Sequence, residues 1–360
     1  MTETVRVAAT QEAIDELFDE QGWSDGLPVV APTRERVDRM LAWSDRPADL
    51  SLGAMPPRNG AATVEALAVN AVMAGCRPEY FPIVVTAVEA MLDPAFNLFA
   101  VQATTHPCSP LTIVNGPAAR ELGINARYGA FGPGTRANAT IGRAIRLILL
   151  NVGGAAPGVL DRATQGQPSK YSFCIAENEV ESPWDPLHVE RGFEPWMSTV
   201  TVVGAENPHN INDHVSDSAA GILATVAGSM AEMGSNNAYL LGGPVLAFGP
   251  EHAAIVAADG YDKPAVRRHV FEHARIPTQL WLQGGMAPQE RSLPDEAGRP
   301  IIGQPGDLII IVVGGFGRHS SWLPTFGSTT HAVTRPLTRA DGTPVRAVSE
   351  LNAGSRLGAG

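Results

Sequence analysis

Lysine is almost missing from this sequence. Lys+Arg total 26 in 360 residues, and only Lys170 and Lys263 are lysines, a bias we assign to genome composition rather than function. Acidic residues outnumber basic ones, with Asp+Glu 37, a net charge of −11 and a pI near 5.3. Without a basic surplus nothing drives counterion release from a nucleic-acid backbone or attraction to an anionic membrane, so neither is an expected partner. Charge of either sign is scarce, at 18% against about 25% in typical domains, which points to surface hidden in a homo-oligomer. Cysteine is limited to Cys76, Cys108 and Cys174. Three widely spaced thiols form no disulfide framework and no paired Cys-x-x-Cys zinc site. A charge-free run of about 20 apolar residues is also missing; the nearest approach, Ile145 to Pro157, contains Arg146. The first twenty residues carry Glu3, Glu12, Asp15, Glu16, Asp19 and Glu20 instead of the basic start of a signal peptide, so the expected location is cytoplasmic.

What remains is a chain that is 44% hydrophobic, enough for a substantial core. Apolar periodicity predicts helices over 11–20, 34–43, 61–74, 82–92 and 139–150, the last with Asn138 as N-cap. Apolar runs predict strands over 96–104, 111–115, 199–203, 244–248 and 307–313, and helices over 214–233, 251–258 and 263–274 follow in the second half. Strand–helix alternation predicts an α/β fold with mainly parallel sheets flanked by helices, its two halves forming a shared cleft. The expected divisions are an N-terminal helical and irregular segment (1–60), a first α/β domain (61–195), a second α/β domain (196–336) and a C-terminal tail (337–360).

The segments richest in His, Asn and Gly follow predicted strands, and open α/β sheets bind ligands beyond the carboxyl ends of their strands. Three loops, after 104, after 203 and after 313, are therefore expected to converge on one crevice. The densest is Glu206-Asn207-Pro208-His209-Asn210-Ile211-Asn212-Asp213-His214. Its imidazoles and carboxylates suit a divalent metal, with His209, His214 and Glu206 as ligands, or proton transfer, or helix capping by Asn212 or Asp213. Thr105-His106-Pro107-Cys108 places a thiol two positions from an imidazole, which makes His106 an acid-base candidate and Cys108 a candidate nucleophile. Gly132-Pro133-Gly134-Thr135-Arg136-Ala137-Asn138 is a glycine-rich lead into a helix where Arg136 and Asn138 could hold an anion; it lacks the Walker A pattern. Gly315-Phe316-Gly317-Arg318-His319-Ser320 has neither the helix nor the acidic residue of a dinucleotide fingerprint, so no nucleotide cofactor is expected. That loop offers His319 for proton transfer, with Arg318, Ser320 and Trp322 for substrate, beside Asn210.

Several of these runs look familiar: Trp23-Ser24-Asp25-Gly26-Leu27-Pro28, Ala103-Thr104-Thr105-His106-Pro107, Tyr128 through Ala144, and Gly317 through Pro324. They resemble large uncharacterised bacterial proteins associated with the UGSC-type (seleno)cysteine family, itself loosely similar to selenoprotein subunits of the glycine and sarcosine reductase group. The likeness runs from Gly22 to about Pro336, and the Cys-Gly-Ser-Cys motif that names the family is missing here. The resemblance implies a substrate pocket in this chain and a hetero-oligomer in which a small cysteine-bearing subunit supplies the thiol.

Taken together, the residues favour an enzyme of lyase or hydrolase type, acting on a small polar or carboxylated molecule by acid-base chemistry, with a divalent metal as an optional participant. Two alternatives stand beside it. One is a thiol-dependent reductase or lyase using Cys108 or a partner's cysteine, and the other is a non-catalytic ligand-binding subunit of a hetero-oligomer.

Overall fold

A computed structural model describes residues 4–283 and 295–352 of the chain. In chain order the first half contains α1 (Gln11–Glu20), α2 (Arg34–Leu41), a hairpin of β1 (Ser51–Met55) and β2 (Gly60–Thr63), α3 (Val64–Met73), α4 (Phe81–Met91), α5 (Leu98–Ala103), β3 (Ser109–Asn115), α6 (Pro117–Glu121), α7 (Arg136–Asn151), β4 (Cys174–Ala176) and α8 (Leu187–Glu190). The second half follows with β5 (Thr199–Ala205), β6 (His209–Asn212), α9 (Ala219–Met230), α10 (Asn236–Leu240), β7 (Val245–Phe248), α11 (Pro250–Ala258), α12 (Lys263–His273), β8 (Arg275–Ile276), α13 (Thr278–Gln283), β9 (Arg299–Pro300), β10 (Ile309–Val312), β11 (His319–Leu323) and β12 (Val333–Pro336).

Two four-stranded sheets, ordered β12-β5-β3-β4 and β10-β7-β11-β6, organise the molecule. Successive strand residues point to opposite faces, and here both faces are apolar. Leu111, Ile113, Ile175, Val203 and Ala205 of the first sheet share one buried cluster with Val245, Ala247, Ile309, Ile311 and Leu323 of the second. Their neighbours turn the other way: Val114, Cys174, Ala176, Val200 and Val202 join a core with α3, α4 and α7, while Ile211, Leu246, Phe248, Ile310 and Trp322 join one with α9, α11 and α12. The layers are therefore helix, sheet, sheet, helix.

The fold is mixed α/β, as the alternation implies, but the sheets are not mainly parallel. β3 with β4 and β10 with β7 are the parallel pairs, whereas β12–β5, β5–β3, β7–β11 and β11–β6 are antiparallel. The misreading has a physical cause. A continuous apolar strand signals burial on both faces, and a second sheet covers a face as effectively as a helix. What the halves share is this closed apolar layer.

Other expectations shift locally. The run 96–104 is not a strand: Asn97, at φ 52, accepts the Ala100 N–H and starts α5, which buries Leu98 and Val101. Asn138 is not an N-cap, since α7 already begins at Arg136. The segment 214–233 becomes helical only at Ala219, where Ser218 caps α9. The polar loops after 205 and 313 contain strands β6 and β11. The line drawn at 195/196 falls inside one sheet, because β5 pairs with β3 along its whole length. Leu337, Val345, Val348 and Leu351 of the expected tail, and Phe18, Val37, Met40 and Met55 of the N-terminal segment, are buried in the core around α3 and α7. Among the described residues no single helix is long and apolar enough to cross a membrane.

Because the inter-sheet layer is closed, truncating it leaves a void. Ile311→Ala should cost about 2 to 5 kcal/mol in urea unfolding, whereas Val215→Ala, at a position 86% exposed, should stay within about 0.5 kcal/mol.

Candidate functional site

The polar residues singled out by sequence gather in separate places. His106 Nε2 lies 2.8 Å from Glu206 Oε1 and its ring sits edge-on against Phe326. His209 faces Glu232 at 3.1 Å and packs on Trp322. His214 and His319 meet at 3.1 Å between their Nε2 atoms, and His319 Nδ1 lies 2.9 Å from Asn210 Oδ1. Register explains the separation. His209 pairs with Trp322 and His319 with Asn212, so by alternation His209 and His319 lie on opposite faces of one sheet. Past Leu323 the chain bridges from Thr325 to Ala205, and six extended residues cover roughly 20 Å, which distances His319 from His106. The single crevice with three imidazoles does not form.

Further assignments change accordingly. The metal set His209, His214 and Glu206 is not assembled, each member having a different partner, and among the described residues no group of three or more His, Cys, Asp and Glu is placed to hold an ion. Cys108 is 1% exposed, and burial pushes its thiol up to about 12, so it is not an activated nucleophile. Arg136 directs its fork at the Gly75 carbonyl. Asn138 is buried, its side-chain amide joining Asn125 and Ala130. Arg318 donates to the His214 and Ser216 carbonyls and to Asp217. Ser320 is buried against His252 and the Gly249 N–H, and Trp322 is core. Asn138, Ser320 and Trp322 are buried, while Arg136 and Arg318 are engaged with backbone carbonyls.

A cleft of about 570 Å³ lies elsewhere and is lined by Ser24, Asp25, Arg146, Asp161, Gln167 and Lys170 among others. Helix α7 supplies its basic wall. Arg143 grips Asp25 with two bonds of 2.8 and 2.9 Å, and so binds the Trp23–Pro28 loop to the helix. One turn on, Arg146 reaches toward Asp161 at 3.5 Å and donates to the Ala155 carbonyl. Lys170 Nζ donates to the same Asp161 oxygen at 2.7 Å. The chain bearing Lys170 lies directly on α7 because residue 142 is glycine; a Cβ there would collide with the Phe173 nitrogen and Ser172 Oγ.

Arg146 and Lys170 share Asp161 in the wall of the cleft, while Asp25 is matched by Arg143 and the neighbouring Glu206 by His106. Arg146 and Lys170 are 12% and 14% exposed, so their charges are poorly screened by water. Burial draws the Arg146 pKa below its ordinary value and Asp161 opposes the shift, yet a guanidinium stays charged throughout the physiological range.

The His106–Glu206 pair adjoins this cleft through its wall. Gln167, which lines the cleft, donates to the Ala205 carbonyl and accepts from the Asn207 N–H at 2.7 Å, while the Thr164 N–H donates to the Thr105 carbonyl. Loops 104–108, 205–207 and 161–171 thus form one hydrogen-bonded block. With Nε2–H donating to Glu206, the His106 Nδ1 lone pair is left without a hydrogen-bond partner among the described residues. The Nδ1 atom is itself buried, and His106 does not line the cleft.

A second cleft, of about 440 Å³, is lined by Asn125, Glu177, Asn178 and Glu179 where the parallel strands β3 and β4 end. Beneath it, Glu177 accepts from the Asn115 amide and the Leu187 N–H, burial raises its pKa, and Lys263 stands 4.0 Å away. Its charges balance more closely, through Glu179–Arg120, Glu181–Arg127 and Glu190–Lys263 pairs.

Asp25, Arg143, Arg146, Asp161 and Lys170 carry the first cleft, and sequence reasoning passed them over. A signal was present: both lysines that survive in this arginine-rich chain sit in buried ion clusters. Arg146, read only as an interruption of an apolar run, is a charge paired inside the core boundary. The chain matches no model of a known protein family, and no curated protein matches it.

Burial makes a further prediction about the thiols. Folded protein should resist iodoacetamide at pH 8 at Cys76, Cys108 and Cys174, all buried, and react fully in urea. Rapid modification of Cys108 in the native state would overturn its inert assignment.

Proposed function

We propose that the protein is an enzyme that binds a small carboxylated molecule in the cleft between α7 and the 157–171 loop, with His106 as its acid-base group. The observation that carries this reading is the sharing of Asp161 by two poorly exposed cations, Arg146 and Lys170. One carboxylate shared between two poorly exposed cations leaves both with unused donors, and an incoming carboxylate adds charge-assisted hydrogen bonds to them. The uncharged lining, Gln165, Gln167, Ser24 and Tyr171, supplies further donors for a polar molecule.

The proton chemistry is assigned to His106 because Glu206 orients its ring and the buried Nδ1 has no hydrogen-bond partner among the described residues. Lyase and hydrolase steps both begin with proton removal from a carbon or a water, and both fit a neutral imidazole base. The thiol alternative based on Cys108 loses its ground through burial of that sulfur.

Calorimetric titration with acetate and succinate tests the binding step. Wild-type protein should take up one equivalent of at least the better anion, and Lys170→Met and Arg146→Met should each weaken uptake by tenfold or more. His106→Gln should bind as wild type does and lose turnover once a substrate is in hand. Equal affinities in wild type and both cation variants would remove the anion-site reading.

A further inference from the structure

The cleft leaves unexplained His209, His214 and His319 in the polar segments 206–214 and 314–321. Their meeting point is the contact of His214 with His319, Nε2 to Nε2 at 3.1 Å with the ring planes at 79°. We infer that these two imidazoles form a binding site for a borderline divalent transition ion of the zinc, nickel or copper class, separate from the carboxylate cleft.

The geometry carries the argument. Imidazole nitrogens bind such ions at about 2.0 to 2.1 Å, so two ligands at angles between octahedral and tetrahedral stand about 2.9 to 3.4 Å apart. The separation of 3.1 Å falls inside that interval. The tautomer is also suitable. His319 Nδ1 lies 2.9 Å from Asn210 Oδ1, which can only accept, so the proton sits on Nδ1 and the Nε2 lone pair is free. A metal-bound histidine characteristically donates its other ring N–H to such a partner.

Each ligand is also held before any ion arrives. Antiparallel pairing of β11 with β6 sets His319 opposite Asn212. The Arg318 guanidinium donates to the carbonyls of His214 and Ser216 and so fixes the backbone of the second ligand. Its charge is matched by Asp217 at 2.9 Å, which reduces repulsion of an incoming cation. On binding, the His214 proton moves from Nε2 to Nδ1, and neither ring needs to change charge. Both imidazoles are exposed, leaving the remaining coordination positions to water or to an exchangeable ligand. Zinc, copper and nickel all accept imidazole, whereas magnesium and calcium prefer oxygen, so the latter pair should not bind.

Calorimetric titration of the full-length protein with Zn²⁺, Ni²⁺ and Mg²⁺ decides the matter. The expected result is one equivalent of Zn²⁺ or Ni²⁺ at this site and none of Mg²⁺. His214→Ala and His319→Ala should each weaken that uptake tenfold or more, and Asn210→Leu by roughly tenfold through loss of orientation. Two controls locate the site: His209→Ala, and His273→Ala, which breaks the stacked His269–His273 pair on α12. Both should titrate at this site as wild type does. Circular dichroism and thermal melts confirm that each variant is folded. The inference is overturned if folded wild type takes up no Zn²⁺ or Ni²⁺, if both His214→Ala and His319→Ala retain full affinity, or if His209→Ala or His273→Ala abolishes all uptake. Loss of acetate or succinate binding is not expected in any of these variants, which keeps this test distinct from that of the carboxylate cleft.

Discussion

The layer of aliphatic side chains between the two sheets is the constraint on which the rest of the structure depends. Leu111, Ile113, Ile175, Val203, Val245, Ile309 and Ile311 have no exposed alternative, because the opposite face of each strand is already committed to helices. At about 25 cal/mol per Å² of apolar surface removed from water, burial of this kind dominates the favourable side of folding. It also explains why the two sheets pack face to face between their helices. A strand apolar on both faces needs two covers, and the chain has helices enough for one face of each sheet.

The polar sites follow from what that packing leaves over. The backbone leaving β5 and β10 must satisfy its hydrogen bonds at the sheet ends, and it does so through side chains such as Gln167 and Asn178. Loops far apart in sequence are thereby joined to one another, and Thr105, Thr164, Gln167 and Asn207 form a hydrogen-bonded frame behind the cleft of Arg146 and Lys170. Helix α7 connects core and site directly. Its apolar face holds Ile141, Ile145 and Ile148 in the core, while Arg143 and Arg146 project to Asp25 and Asp161.

Buried charge is costly unless paired, which limits where such groups persist. Lys170 with Asp161 and Arg146, and Lys263 with Glu190 and Glu177, are the sites where this chain retains ammonium groups below the surface. The Lys170 cluster borders an open cleft, whereas Lys263 is enclosed by Glu177 and Glu190.

By itself the sequence determined the local structure wherever one periodicity ruled. The helices over 11–20, 82–92 and 251–258 and the strands over 111–115, 199–203 and 307–313 coincide with observed elements to within two residues at most boundaries. Asp262 caps α12 as its side chain requires. Only the tertiary structure decided what lies across from each strand, because hydrophobicity reports that a face is covered and not by what. For the same reason the histidines were legible as polar groups near strand ends but not as partners. A period-two strand sends His209 and His319 to opposite faces, and a chain continuation of several residues carries His106 to Glu206 instead. The cleft itself was hidden for a different reason. Arg146 and Asp161 are fifteen positions apart on a helix and an irregular loop, a spacing that no local motif encodes, and the segment after Lys170 lies against α7 because residue 142 is glycine.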